Sequence, residues 1–107
     1  MLQKEFEKLL IETIEKENVL LLGKGKEYAE GNNDRLYNFK DAALRLGLNP
    51  LQIWFVYFSK HHSSLVSFLK NNNKVFSGET IQGRIHDMRN YLVLFLGLLK
   101  DMENERI

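Results

Sequence analysis

The sequence predicts an all-α protein: one domain over residues 1–107, built as a four-helix bundle with a long polar loop between helices one and two. Apolar residues recur at the three- and four-residue spacing of amphipathic helices along the whole chain, and only one proline interrupts them. The hydrophobic content of 44% is ordinary for a globular domain, and 107 residues suffice for one core. We therefore expect four helices and no strand.

Composition excludes several classes of protein. The net charge of +1 creates no bulk field that would attract DNA or an anionic membrane. The absence of cysteine excludes disulfides, thiolate metal sites and a cysteine nucleophile. Charges break up the N-terminal segment, which is unlike a signal peptide, and the apolar run 91–99 is shorter than the roughly 20 residues of a membrane span. We expect a cytoplasmic protein with no membrane partner.

Helix one is predicted over about residues 2–21 and is expected to end at Gly23 and Gly25. The polar stretch that follows exceeds the two to eight residues that usually join helices, so it suggests a role beyond connection. The predicted apolar stripe of helix one consists of Leu2, Phe6, Leu9, Leu10, Thr13 and Ile14.

Helix two is predicted from about Asp34 to Leu46, with Asn33 or Asp34 accepting the free N–H groups of its first turn. Gly47 follows, in the place where a left-handed residue commonly ends a helix. The expected core face of this helix is Leu36, Phe39, Ala43 and Leu46.

Helix three is predicted to begin at Asn49-Pro50, a capping residue followed by proline in the first turn. It should run to about Lys70, where the asparagine run 71–73 stops it. Its expected main stripe is Trp54, Phe58, His61, Leu65 and Phe68.

Helix four is signalled by the segment 77–80, Ser-Gly-Glu-Thr, and should run to about Glu103. Three further leucines widen its stripe until apolar residues nearly encircle the helix. That excess predicts a central helix or a subunit interface, and hence a homo-oligomer. The stripe itself is expected to be Ile81, Ile85, Met88, Leu92, Phe95, Leu99 and Met102, and the three further leucines are Leu94, Leu96 and Leu98.

Asp87 is the first candidate for chemistry. It shares one line of helix four with Arg84, Tyr91 and Leu94, so the carboxylate enters a stripe that becomes apolar one turn later. A buried carboxylate needs a positive partner, either Arg84 or a lysine or histidine of helix three. Asp87 is therefore part of a structural ion pair or, alternatively, of a ligand or metal site.

Lys60 and His61 form the second candidate cluster. His61 lies on the apolar stripe of helix three, where a hydrogen-bonded core histidine is the plain alternative. Lys60 shares its line with Ser64 and Ser67, whose small hydroxyl groups permit close helix approach or contact with phosphate oxygens. Adjacent His61 and His62 point about 100° apart on a helix and do not simply chelate one metal, so no metal site is expected.

The loop supplies the third cluster. Lys24 and Lys26 stand between glycines, where backbone N–H groups can cradle an anion, although the spacing is not that of a P-loop. A solvated loop is the alternative. Further hydrogen-bonding groups follow within a dozen residues, namely Glu27, Tyr28, Asp34, Arg35, Tyr37 and Asn38.

The order of these pieces resembles a group of small phage and prophage proteins. A lysine-rich turn ends in an acidic-Tyr pair (residues 24–28), a helix entry reads DRLYNF (34–39), a Lys-His pair follows (60–61), and Glu79 precedes RIHDMRNYL (84–92). The pattern is similar to the phage nucleotide-modification-associated domains, and more loosely to the MazG-like all-α nucleotide pyrophosphatases. The resemblance implies a helical bundle, often oligomeric, with a nucleotide-sized ligand.

The pyrophosphatases hold magnesium with an ExxE pair and a later ExxD pair. This chain departs from them, because its ExxE, Glu12 to Glu15, lies on the first helix and Arg84 stands three residues before Asp87. Magnesium is therefore expected only if the protein is an enzyme, which the sequence does not decide. The pair Glu12 and Glu15 is otherwise part of a solvated helix face.

Three hypotheses follow. The leading one is a phage-type nucleotide-binding protein in the bacterial host cell, with or without an enzymatic role in nucleotide metabolism. Alternatives are a non-catalytic sponge that sequesters a nucleotide signal of antiphage defence, and a helical interaction protein with no small-molecule ligand. In the leading hypothesis, phosphate is neutralised by Lys24, Lys26 and Lys60, the ligand or a water is oriented by Asp87 and Asn90, and the base or sugar is covered by Tyr28 or Tyr37.

Overall fold

The computed structural model describes residues 1–28, 33–75 and 78–105, with side chains for all of these except 24–28. Every regular element in these ranges is a helix, which confirms the all-α fold class, and none of the described helices is long and apolar enough to cross a membrane. The chain divides into two compact units, Met1–Arg35 and Leu36–Ile107. The bundle of four helices stays a prediction. The helices are α1 (Gln3–Tyr28), α2 (Tyr37–Leu46), α3 (Pro50–Lys70) and α4 (Ile81–Glu105).

The first unit contains α1. Its helical backbone continues to Tyr28, so the predicted end at Gly23 and Gly25 is wrong. A glycine inside a helix costs only about 1 kcal/mol relative to alanine, and the surrounding lysine and glutamate residues favour helix. The predicted polar loop is not confirmed, because residues 29–32, which would remain of it, lie outside the described part of the chain.

In the second unit, α2 is shorter than predicted. Its N-cap residue is Leu36, not the predicted Asn33 or Asp34, and the Leu36 side chain makes no capping hydrogen bond. Its C-terminal end is as predicted. Gly47 adopts φ 67°, in the left-handed region that favours glycine, and the N–H of Leu48 donates to the Ala43 carbonyl over 2.9 Å.

The bounds predicted for α3 are confirmed. Asn49 Oδ1 accepts from the N–H groups of Leu51 and Gln52, and the Gln52 side chain accepts from the Asn49 N–H, which makes a complete capping box. The start of α4 is also capped by a side chain, because the Thr80 hydroxyl oxygen accepts from the N–H of Gly83 over 3.0 Å.

The core of the second unit lies where α2, α3 and α4 meet. Phe39 is 1% exposed and makes edge contacts with Tyr57 and Tyr91. Trp54 stacks on Phe58, and its indole N–H donates to the carbonyl oxygen of Tyr91 over 2.6 Å. The buried apolar residues are Leu36, Phe39, Ala43, Ile53, Trp54 and Leu98.

Two contacts fix α2 on α4. Lys40 Nζ lies 2.8 Å from Asp101 Oδ2 in a half-buried ion pair. Leu36 packs closely against Gly97, because a Cβ added to Gly97 would lie only 3.3 Å from Leu36 Cδ1. Leu46, which the sequence placed on the core face, is exposed instead, because α2 ends there.

The buried face of α4 differs from the predicted stripe. Leu98 is buried, and Tyr91, Leu94 and Phe95 pack against the core. Ile85, Leu92 and Leu99, which were expected on the core face, are exposed. Because apolar residues nearly encircle this helix, its periodicity could not distinguish the side that meets α3 from the opposite side.

Candidate functional site

A cleft of about 170 Å³ lies between the last turns of α3, the segment that follows it and the first turn of α4. Two cationic side chains, Lys74 and Arg84, line it together with the hydroxyl-bearing Ser64 and Ser67. Apolar side chains complete the lining, namely Phe68, Val75 and Ile81. Two positive charges beside hydroxyl donors favour an anionic ligand.

The asparagine run positions Lys74. Asn71 caps α3, and Asn72 and Asn73 adopt φ 55° and 61°, a left-handed conformation that asparagine accepts more readily than most residues. The N–H of Asn73 donates to the Phe68 carbonyl, which closes the helix end over 3.0 Å. The segment that follows the asparagines places Lys74 in the lining of the cleft.

Arg84 is held between two elements. Its Nη1 lies 3.3 Å from His61 Nδ1 on α3, and its Nε lies 3.1 Å from Glu79 Oε2. The Nε group is buried and, among the described residues, makes no hydrogen bond of good geometry, so Glu79 pairs with it through charge alone. These two neighbours restrict the arginine before any ligand arrives.

The two serines differ in what they can offer a ligand. The Ser64 hydroxyl donates to the Lys60 carbonyl over 3.1 Å, within its own helix. The Ser67 oxygen accepts from Asn71 Nδ2 over 3.3 Å, which leaves its proton available for an acceptor. Ser67 is therefore the better hydroxyl donor toward an anion in the cleft.

A polar cluster adjoins the cleft through Arg84. His61 Nδ1 lies 3.9 Å from Asp87 Oδ2, and the His61 ring lies 5.3 Å from the ring of Tyr91. Asp87 therefore approaches His61, a histidine of helix three of the kind that the sequence named as a possible partner. With 31% of its side chain exposed, Asp87 is only half-buried.

Burial away from water lowers the pKa of His61 below its usual value of 6.5. Asp87 opposes this shift, whereas the positive charge of Arg84 reinforces it. The lowered pKa favours the neutral form of His61, and in the tautomer with its proton on Nε2 the Nδ1 atom can accept a hydrogen bond from Arg84 Nη1.

The lowered pKa of His61 gives an expected pH dependence of stability. Because the unfolded chain binds a proton at His61 more readily, the contribution of neutral His61 is complete above about pH 6.5 and is lost as the pH falls toward its folded-state pKa. Urea unfolding between about pH 8 and pH 5 should therefore show wild type losing more stability than the His61→Gln variant. His62→Gln, at an exposed neighbour, is the control and should behave as wild type. Equal slopes for wild type and His61→Gln would contradict this assignment.

Several residues predicted to form the site do come together. His61, Arg84, Asp87 and Tyr91 form the cluster described above, and Asn90 is buried nearby on α4. Lys60 is exposed and does not line the cleft.

The other predicted site residues belong elsewhere. Tyr37 and Asn38 lie in the first turn of α2 and do not line the cleft. Asp34 and Arg35 belong to the first compact unit. The side chains of Lys24, Lys26, Glu27 and Tyr28 lie outside the described part of the chain, so their predicted roles stay predictions.

Lys74 was not among the site residues predicted from the sequence. In the sequence, Lys74 is marked only by its place directly after an asparagine run and shortly before a helix start. That place indicates a binding residue only if the asparagines adopt the left-handed conformation that brings Lys74 to the cleft. Ser64 and Ser67 were noted as possible phosphate contacts through their line with Lys60, but they line a cleft with Lys74 and Arg84 instead.

Among the described residues, no group of three or more His, Asp or Glu side chains is arranged to hold a metal ion. No protein-family model, curated protein or solved structure matches the chain.

Proposed function

We propose that this protein binds a phosphorylated small molecule in the cleft between α3 and α4, and that the ligand is a nucleotide. One observation carries the proposal: Lys74 and Arg84, which come from different segments, converge on one cleft with two serine hydroxyl groups. A guanidinium group offers paired N–H donors that match phosphate oxygens, and an ammonium group adds a compact charge.

The size of the cleft indicates which part of the ligand it takes. Its 170 Å³ is below the roughly 300–1,000 Å³ of pockets that enclose drug-sized ligands. The cleft therefore suits the phosphate end, and the rest of the ligand would extend from its mouth. The choice of nucleotides within the phosphorylated class rests on the resemblance to the phage nucleotide-modification-associated domains. In this proposal the protein is a homo-oligomer that acts in the cytoplasm of a bacterial host cell.

Glu79 opposes the binding of an anion, because its carboxylate lies 3.1 Å from Arg84 Nε. Its side chain is 62% exposed, so it can move toward water when a phosphate approaches. Two kinds of substitution should therefore change the affinity for an anion in opposite directions. Glu79→Gln should tighten anion binding, whereas removal of a cation should weaken it.

The test is calorimetric titration with nucleoside mono-, di- and triphosphates and cyclic dinucleotides, with the unphosphorylated nucleosides as the matched control. We expect binding by at least one phosphorylated compound, no binding by its nucleoside, and tighter binding to the Glu79→Gln variant. No binding across the panel would favour the helical interaction protein instead. Equal affinity of a nucleoside and its phosphate would contradict phosphate recognition.

Turnover separates the enzyme from the sponge. A ligand that binds is incubated with the protein and Mg²⁺, and its products are followed by chromatography. Release of the ligand unchanged indicates the non-catalytic sponge of a nucleotide signal, whereas conversion indicates an enzyme of nucleotide metabolism. Either result leaves the phosphate-binding cleft in place.

A further inference from the structure

One side of α4 carries a continuous exposed apolar stripe. Ile85, Leu92, Leu96 and Leu99 are between 41% and 65% exposed, and they lie about 100° to 160° around α4 from the buried Leu98. Arg89 completes the stripe near its start and Glu103 near its end. The six positions, named here the α4 stripe, are separated by four, three, four, three and four residues, the spacing of a coiled-coil seam.

The charges at the two ends of the stripe select its partner. Arg89 and Glu103 are 14 positions apart, so they lie about 21 Å apart along the helix. A second α4 packed in parallel would oppose arginine to arginine and glutamate to glutamate. A second α4 packed antiparallel, about a two-fold axis near Leu96, would place each Arg89 beside the Glu103 of the second copy.

We propose that two copies of this chain dimerise through the α4 stripe, with the two helices antiparallel. Leucine and isoleucine side chains fill the middle of the interface, and an arginine–glutamate pair closes each end. The arrangement is isologous, as a closed dimer requires, because the same surface serves both copies. It also explains why apolar residues nearly encircle α4: one side packs on α3 and the other meets the second copy.

Charge reversal tests the orientation. Sedimentation analysis of wild type across a dilution series should show a species of twice the 12.6 kDa of one chain. Arg89→Glu and Glu103→Arg should each weaken dimerisation about three- to tenfold, because each creates two like-charged pairs at an exposed rim. The double variant Arg89→Glu with Glu103→Arg should restore wild-type dimerisation. Failure of the double variant to recover would overturn the antiparallel arrangement.

Cysteine cross-linking provides an independent readout, since the natural sequence contains no cysteine. In the antiparallel dimer, Leu96→Cys lies near the two-fold axis and should form an intermolecular disulfide on mild oxidation. Ile85→Cys is the matched control, because its two copies would be separated by roughly 30 Å, well beyond disulfide reach. Cross-linking of both variants would indicate parallel helices.

Leu96→Asp measures the contribution of the apolar middle. A carboxylate there should lower the dimerisation constant at least about a hundredfold while the circular dichroism of the variant stays helical, because Leu96 is exposed within one chain. A wild-type mass of 12.6 kDa at every concentration would overturn the proposal. It would leave the phosphate cleft untouched, since none of the cleft residues belongs to the α4 stripe.

Discussion

Replacing Phe39 with alanine is expected to lower the free energy of unfolding by roughly 3–5 kcal/mol. The side chain is 1% exposed and contacts the rings of Tyr57 on α3 and Tyr91 on α4. Truncation would leave a cavity where the three helices of the second unit meet. Chemical denaturation measures the loss, and hydrogen exchange should show the amides of the ten-residue α2 opening most easily.

Leu44→Ala is the matched control for this core substitution. Leu44 lies on the same helix but is 84% exposed, so its truncation should change stability by less than about 0.5 kcal/mol. A similar loss in the two variants would mean that Phe39 does not fix α2 to α3 and α4.

Removal of both cations from the cleft should have the largest effect on binding. Lys74→Met with Arg84→Met is expected to weaken a phosphorylated ligand at least about a hundredfold, since charge-assisted hydrogen bonds contribute roughly 1.5–3 kcal/mol each. Titration of inorganic pyrophosphate, which carries the proposed anionic group alone, measures the effect without a base or sugar.

The control must remove the same charge elsewhere. Arg45 and Lys100 are exposed and do not line the cleft. Arg45→Met with Lys100→Met therefore reproduces the change in net charge and should weaken pyrophosphate less than about threefold, the part due to long-range attraction. Equal weakening by the two double variants would mean that pyrophosphate responds to the net charge of the protein and does not bind specifically in the cleft.

The helix boundaries that local chemistry determines could be predicted from the sequence. The segment Asn49-Pro50-Leu51-Gln52 contains every group of its capping box, and the bounds of α3 are as expected. Gly47 likewise ends α2 in the left-handed conformation that the sequence implied. The end of α1 was not predictable from Gly23 and Gly25, because a modest glycine penalty does not by itself stop a helix.

Only those residues of the candidate site that share one face of a single helix could be predicted from the sequence. The line through Arg84, Asp87 and Tyr91 named a histidine of helix three as one possible partner of Asp87, and His61 Nδ1 does lie 3.9 Å from Asp87 Oδ2. Lys74 could not be found in this way, because its position depends on the left-handed path of Asn72 and Asn73. The exposed side of α4 could not be predicted from the sequence either, since an almost fully apolar helix has no periodicity that identifies its buried face.

The central claim, that a phosphate group binds in the cleft between α3 and α4, is tested most directly by nuclear magnetic resonance. Pyrophosphate is titrated into ¹⁵N-labelled protein, and the backbone amides and the Arg84 Nε–H resonance are followed. We expect saturable shifts concentrated at Ser67, Lys74 and Arg84, with little change at Arg45 and Lys100. Shifts absent from these cleft residues, or shifts confined to α1, would contradict the claim.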